Sequence, residues 1–202
     1  KAIENAEVAY ENFLVLEVTS HALDQNRVFG IDFEVGVLTN VTHEHLDYHK
    51  TYENYLKTKA KLLKMARIVV VNRDDDSYKT LSTFNPSASL RASSQLSTLK
   101  WITYGMGKNA DINPQGFPFK TSLIGEFNRY NALAAVGACR ALGVADKDIK
   151  AGISSFVPPI GREEIVYQNS FSVMIDFAHT PNAIEQVLCS IRPQVKGKII
   201  HV

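Results

Sequence analysis

Three short stretches, FLVLEV (13–18), EVGVLTN (34–40) and RIVVVN (67–72), are nearly unbroken apolar runs rich in valine. Runs of that length and composition mark strands buried on both faces. The segments between them carry apolar residues at helical spacing, so the order predicts an α/β fold, a mainly parallel sheet flanked by helices. Polar residues gather where the runs end: Glu17, Thr39 with Asn40, and Asn72, followed by loops holding His, Asp and Glu. Ligands of open α/β sheets bind at that edge, which gives the chemistry an expected address.

Residues 82–120 are rich in Ser, Pro, Asn and Gly around the strand-like LKWITYG, a pattern of loops, short strands and antiparallel additions to the sheet. After Gly125, EFNRYNALAAVGACRALG predicts a helix with Gly143 as its C-cap, and DKDIKAGISSF a shorter helix with Asp146 as its N-cap. The turn PPIGRE leads into EIVYQ. FSVMIDFAHTPNAIEQVLCSI then reads as strand, turn and helix, and GKIIHV as a strand, together a fresh β-α-β unit. No internal repeat or low-complexity tract interrupts the chain.

Composition narrows the function classes. At 202 residues and 45% hydrophobic, the chain can bury the core of one domain or slightly more. Its 22 basic and 21 acidic side chains form no long single-sign block, so it lacks the electrostatic footprint of a nucleic-acid or anionic-membrane binder. Cys139 and Cys189 sit in helix-like apolar patterns and lack C-x-x-C spacing, so neither a disulfide framework nor a thiolate zinc site is suggested, and a reducing cytoplasm fits best. No apolar stretch approaches the roughly 20 residues of a membrane span, and the first residues show no secretory h-region. The chain begins inside a helix-like segment and stops on a strand-like one, as part of a longer protein would.

In TYENYLKTKAKLLKMA, a turn of about 100° per residue places Tyr52, Tyr55, Leu62, Leu63 and Ala66 on one stripe. Lys59 falls in the middle of it, while Lys57, Lys61 and Lys64 fall on the solvated face. One reading of Lys59 is an ammonium that snorkels past the stripe edge. The other is a desolvated lysine with a lowered pKa, able as the neutral amine to add carbon dioxide and become an oxygen-donating carbamate.

Just upstream, His43, Glu44, His45, Asp47 and His49 crowd into seven residues. Four readings stand: a polar loop with incidental histidines; structural zinc, for which the usual thiols are missing; a binuclear hydrolase motif, in which Tyr48 occupies the last histidine's place; and a magnesium site assisting phosphoryl transfer.

Longer motifs bear on that choice. EVTSHALDQNRV, TNVTHEHLDYHKTYENYLKTKAKLL, VNRDD (71–75), GEFNRYNALAA (125–135), GREE (161–164) and DFAHTPNAIEQVL (176–188) occur in an order that closely resembles the Mur ligases, in particular the MurE type. The resemblance implies a P-loop NTPase-like central domain over residues 1–168 and, over 169–202, the first β-α-β of a Rossmann-like C-terminal domain. The family's phosphate loop would precede Lys1, so the chain alone is expected to be inactive. The region that selects the amino acid would follow Val202, which leaves open diaminopimelate, lysine or another.

The activity implied is ATP-dependent addition of the third amino acid to UDP-MurNAc-dipeptide. A carboxylate attacks the γ-phosphate, an acyl phosphate forms, and the amine of a free amino acid displaces phosphate. Magnesium and ATP are the implied cofactors. By the same resemblance Glu17 and His45 are magnesium ligands and Lys59 is the carbamylated lysine. Thr19, Gln25 and Arg27 meet the UDP-sugar substrate. Asn128 and Asn131 lie near the adenine, Arg162 reaches the nucleotide phosphates, and Asp176 contacts the ribose, with His179 in the same turn. His21 also matches the pattern. Glu44, Phe177 and Glu163 depart from it, standing where Asp, Tyr and an apolar residue are common. A relative acting on another carboxylate, such as a folate or poly-amino-acid ligase, and a noncatalytic nucleotide-binding module are the competing classes.

Overall fold

The computed structural model describes residues 13–42, 46–83 and 100–202. His43, Glu44 and His45, and with them one expected magnesium ligand, lie outside the described residues.

The valine-rich runs meet as neighbours. Strand β1 (Phe33–Leu38) pairs in parallel with β2 (Ala66–Asn72), and β2 in parallel with β3 (Lys100–Tyr104), in the order β1-β2-β3. β3 was expected among antiparallel additions; it runs parallel because its segment returns along β2 in the same direction, Ile68 opposite Lys100 and Asn72 opposite Tyr104. Val69 and Val71 point into a core shared with helix α3 (Tyr52–Lys64), whereas Val70 points into the opposite core under helix α5 (Glu126–Ala141). All three valines are fully buried, and this two-sided burial is why the run has no polar position to alternate with.

Helix α3 starts at an N-cap, Thr51, whose hydroxyl accepts from the Asn54 amide at 3.2 Å, and carries Glu53 in its first turn and Lys61 and Lys64 in its last. Those charges oppose the ends of the helix dipole. Before it lie the one-turn helices α1 (Ser20–Asp24) and α2 (Leu46–His49); helix α4 (Ser77–Thr83) follows β2. The VNRDD turn is structural: Asp75 accepts from the Ser77 hydroxyl and amide and from Val41 N, and Asp74 accepts from Met106 N at 2.7 Å and Tyr130 Oη at 2.9 Å. Burial and the Asp74 bond push the Tyr130 phenol up to about 12.

Gly137 lets α5 lie close on the sheet, since a Cβ there would come within 2.6 Å of Val70 Cγ1. The helix ends as expected, with Gly143 at φ 79° just past its cap. Helix α6 (Asp146–Ser155) is capped by Ala145, without a side-chain bond, rather than by Asp146. Asp146 is already helical, and its carboxylate is taken by Arg140 at 2.6 and 2.8 Å, a two-pronged pair that outcompetes capping.

Strands β4 (Glu164–Gln168) and β5 (Ser172–Ile175) form an antiparallel hairpin, followed by helix α7 (Pro181–Ile191), which Thr180 caps. Two expected strands are absent among the described residues. FLVLEV makes no ladder and leaves Val15 93% exposed, and residues 198–202 likewise pair with nothing. Apolar composition favours burial, but a strand also needs a neighbouring backbone, and among the described residues neither segment has one. The β-α-β reading of the C-terminal segment is thereby reduced to a hairpin and a helix.

Candidate functional site

Two clusters at the C-terminal edge of the sheet gather most of the residues singled out by sequence, Glu17 and the undescribed His45 excepted. The first lies where α1, α2 and α3 meet. Thr19 is the N-cap of α1, its hydroxyl accepting from Ala22 N at 3.1 Å. Gln25 and Arg27 are exposed and bonded to each other, Arg27 Nε donating to Gln25 Oε1 at 2.9 Å, which aligns the guanidinium toward solvent beside α1.

Behind them sits an aromatic column that sequence reading passed over. His49, buried, meets the buried Ser20 hydroxyl at 2.9 Å, stacks on Tyr55 at 5.1 Å and takes the edge of Tyr48 at 4.8 Å; His21 lies 4.2 Å from Tyr48. Lys59 extends the column, its Nζ 5.7 Å from the Tyr55 ring centroid. The stripe expected for α3 is present: Tyr55, Leu62, Leu63 and Ala66 are buried, Lys59 half-buried, and Lys57, Lys61 and Lys64 exposed. No spacing rule brings residues 20 and 49 together, so only the contact between α1 and α3 exposes this column.

A cleft of about 460 Å³ opens beside it, walled by Lys50, Lys57, Lys61 and Asp24 among others. Asp24 accepts from Lys61 at 3.1 Å and Tyr48 at 3.0 Å, and these bonds hold its carboxyl below the usual carboxylate range. Of the expected magnesium ligands, Glu17 is exposed and belongs to no helix or strand. Among the described residues no group of three His, Cys, Asp or Glu converges on one point.

The second cluster joins the first turn of α5 to the turn before β4 and the end of β5. Asn128 is buried; its Nδ2 donates to the Ile124 carbonyl at 2.7 Å and to Glu163 Oε2 at 3.0 Å. Asn131, exposed, reaches Asn128 Oδ1 at 3.5 Å. Glu163 N donates to Asp176 Oδ2 at 2.9 Å, while Asp176 Oδ1 accepts from Ala178 N. Burial pushes the Glu163 carboxyl up, opposed by the Ile124 amide and Asn128 and reinforced by the Asp176 charge. Arg162 lies over the Phe177 ring at 4.4 Å, and His179 Nδ1 bonds the Phe177 carbonyl at 3.0 Å. Asn128, Arg162 and Asp176, 48 residues apart in sequence, therefore sit within one or two contacts of Glu163, which sequence reading noted only as a departure.

The family model of the Mur ligase middle domain matches residues 1–139, more than half of the chain. This chain belongs to the Mur ligase family. The Mur ligase chain is 40% identical over 200 residues to the UDP-N-acetylmuramoyl-L-alanyl-D-glutamate–2,6-diaminopimelate ligase of Synechococcus elongatus, covering 93% of itself and 40% of that protein. It is 34% identical over 212 residues to ligase 1 of the same name from Clostridium acetobutylicum, covering 95% of itself and 42% of that protein. The chain thus spans about two fifths of the length of the curated relatives it matches. Among solved structures, a ligase of that name superposes with a TM-score of 0.69 at 27% identity, over 88% of this Mur ligase chain and 39% of the other. MurF from Acinetobacter baumannii shares the fold at a TM-score of 0.68 and 18% identity, over 80% of this chain and 38% of that one.

Proposed function

We propose that the protein carrying this chain adds the third amino acid to UDP-MurNAc-dipeptide in an ATP-dependent reaction of peptidoglycan synthesis, in the cytoplasm. The observation that carries the reading is the 40% identity over 93% of the chain to a ligase of that name. Relatives named as 2,6-diaminopimelate ligases make diaminopimelate the amine to test first. The chain divides in this reading into a central ATP-binding part, 1–168, and the start of a C-terminal part, 169–202.

The first cluster handles the acceptor substrate. Arg27, held by Gln25, offers a fixed cation to a carboxylate or phosphate of the nucleotide-linked peptide, and Thr19 borders the same surface. Lys59, half-buried on the apolar stripe of α3 with its Nζ 5.7 Å from the Tyr55 ring centroid, is the side chain this reading assigns to carbamylation. As a carbamate it would give an oxygen donor, and with the Glu17 carboxylate and His45 it would make up a hard, oxygen-rich set suited to magnesium. Magnesium supplies neutralisation of the charge that accumulates between phosphate and attacking carboxylate. In the second cluster Asn128 and Asn131 serve the adenine, Asp176 the ribose and Arg162 the phosphates. The substrate carboxylate attacks the γ-phosphorus, ADP leaves, and the amine then displaces phosphate from the acyl phosphate with loss of a proton. Alignment of the three substrates supplies much of the acceleration.

The test uses the full-length protein with ATP, UDP-MurNAc-dipeptide and diaminopimelate. Lys59→Ala is expected to abolish ADP release coupled to ligation, with partial recovery on adding small carboxylates, and intact mass should show one carbon dioxide on the wild type that the variant lacks. Full activity of Lys59→Ala would refute the assignment.

A further inference from the structure

Glu163 stands where the family resemblance leads one to expect an apolar residue, and its surroundings give the carboxylate a role. Both hydrogens of the Asn128 carboxamide face groups that only accept, the Ile124 carbonyl at 2.7 Å and the Glu163 carboxylate at 3.0 Å. Turning the amide over would set its oxygen against those two oxygens, so the network fixes which end points inward. Asn128 Oδ1 is the atom left for a ligand, met among the described residues only by Asn131 Nδ2 at 3.5 Å, the outer limit of a hydrogen bond.

Asn128 and Asn131 line a cleft of about 340 Å³ between α5 and α6, whose other walls include Leu123, Ala132, Ile149 and Ile153. Mostly apolar walls, with Asn128 Oδ1 among a few polar groups that include Thr121, Asn131 and Asp148, suit a flat heteroaromatic ring that bears an exocyclic amino group. Glu163 occupies a costly position to provide this. Its φ of 46° lies in the left-handed region, and its Oε1 is enclosed without a hydrogen-bond partner among the described residues. Strain and desolvation of that kind persist where the surroundings hold them, here through the bond from Glu163 N to Asp176 at 2.9 Å.

We infer that Glu163 is a positioning residue for nucleobase selection: it holds the Asn128 carboxamide with its NH₂ inward, so that Oδ1 accepts from the 6-amino group of adenine and repels the 6-oxo group of hypoxanthine or guanine. The inference rests on the ATP-dependent reading above and adds to it what chooses the base. Glu163 touches neither the base nor the reacting atoms; it acts through Asn128.

The test compares kcat/KM for ATP and for ITP in the full-length protein, in the wild type, Glu163→Met and Glu163→Gln. The wild type is expected to prefer ATP by roughly a hundredfold or more. Glu163→Met, which removes one of the two acceptors barring the flip, should shrink the ATP-to-ITP ratio by about tenfold. Glu163→Gln, whose amide oxygen can still accept from Asn128, should restore most of it. A loosened but unselective corner would slow both nucleotides alike, and an unchanged ratio in Glu163→Met overturns the inference. So does a wild type that uses ITP as well as ATP, a result that needs no variant to fold. A wild type that turns over neither nucleotide removes the ligase reading itself, an outcome distinct from turnover with lost selectivity.

Discussion

Arg27 illustrates how a single side chain can be placed in sequence and then sharpened by its neighbour. Its bond to Gln25 Oε1 at 2.9 Å orients an exposed guanidinium that would otherwise sample many rotamers. Arg27→Ala is therefore expected to raise the KM for the UDP-linked substrate by about tenfold with kcat nearly unchanged, as removal of uniform binding does. Steady-state kinetics with each substrate varied in turn checks this, and an effect confined to ATP would contradict it. Lys59 was legible for a physical reason, since a charged residue inside an apolar stripe is visible from spacing alone. His49, Ser20 and Glu163 were not, because their partners are 29, 29 and 35 residues away and nothing local marks the contact.

At the scale of elements, burial on both faces made β1 and β2 readable, and caps and stripes made α3 and α5 readable. FLVLEV and GKIIHV show the opposite limit, carrying the same apolar signal without a ladder among the described residues. Close approach of an element is another property that spacing hides. In an open helix, Gly→Ala would gain about 1 kcal/mol of helix propensity. At Gly137 the added Cβ would stand 2.6 Å from Cγ1 of the fully buried Val70, and overpacking of that kind typically costs about 1–3 kcal/mol. The clash should win: Gly137→Ala is expected to lower stability by about 1 kcal/mol in denaturant titration, with partial recovery in Val70→Ala/Gly137→Ala. A more stable single variant would show that α5 is free to lift.

For the whole molecule, the contrast is between the sheet, closed by a layer on either face, and the C-terminal hairpin, which among the described residues has neither. Ile165, Val166, Val173 and Ile175 on the two strands and Phe171 in the turn between them are all exposed, and among the described residues the outer edges of the strands are unpaired. Apolar strands with open edges pair with other chains. The 202-residue chain expressed alone is expected to self-associate in a concentration-dependent way by sedimentation, and Val173→Lys to shift it toward monomer; a monomer at every concentration would contradict this. The three layers were foreseeable from the order of runs, whereas the meeting of two clusters on one edge was foreseeable only as an address.

Helix α5 can be viewed mechanically, as a beam packed on the sheet through Leu133, Ala134 and Val136 and tied down at two further points. One is the tight seat of Gly137 on Val70, the other the bond from Tyr130 to Asp74. Asn128 overhangs the second fastening by two residues, about 3 Å of helix rise. So short an overhang leaves the carboxamide almost no travel of its own. The end of the helix that is proposed to meet the base therefore inherits the stiffness of the central strand, and any change of nucleotide must be accommodated by the turn that carries Glu163.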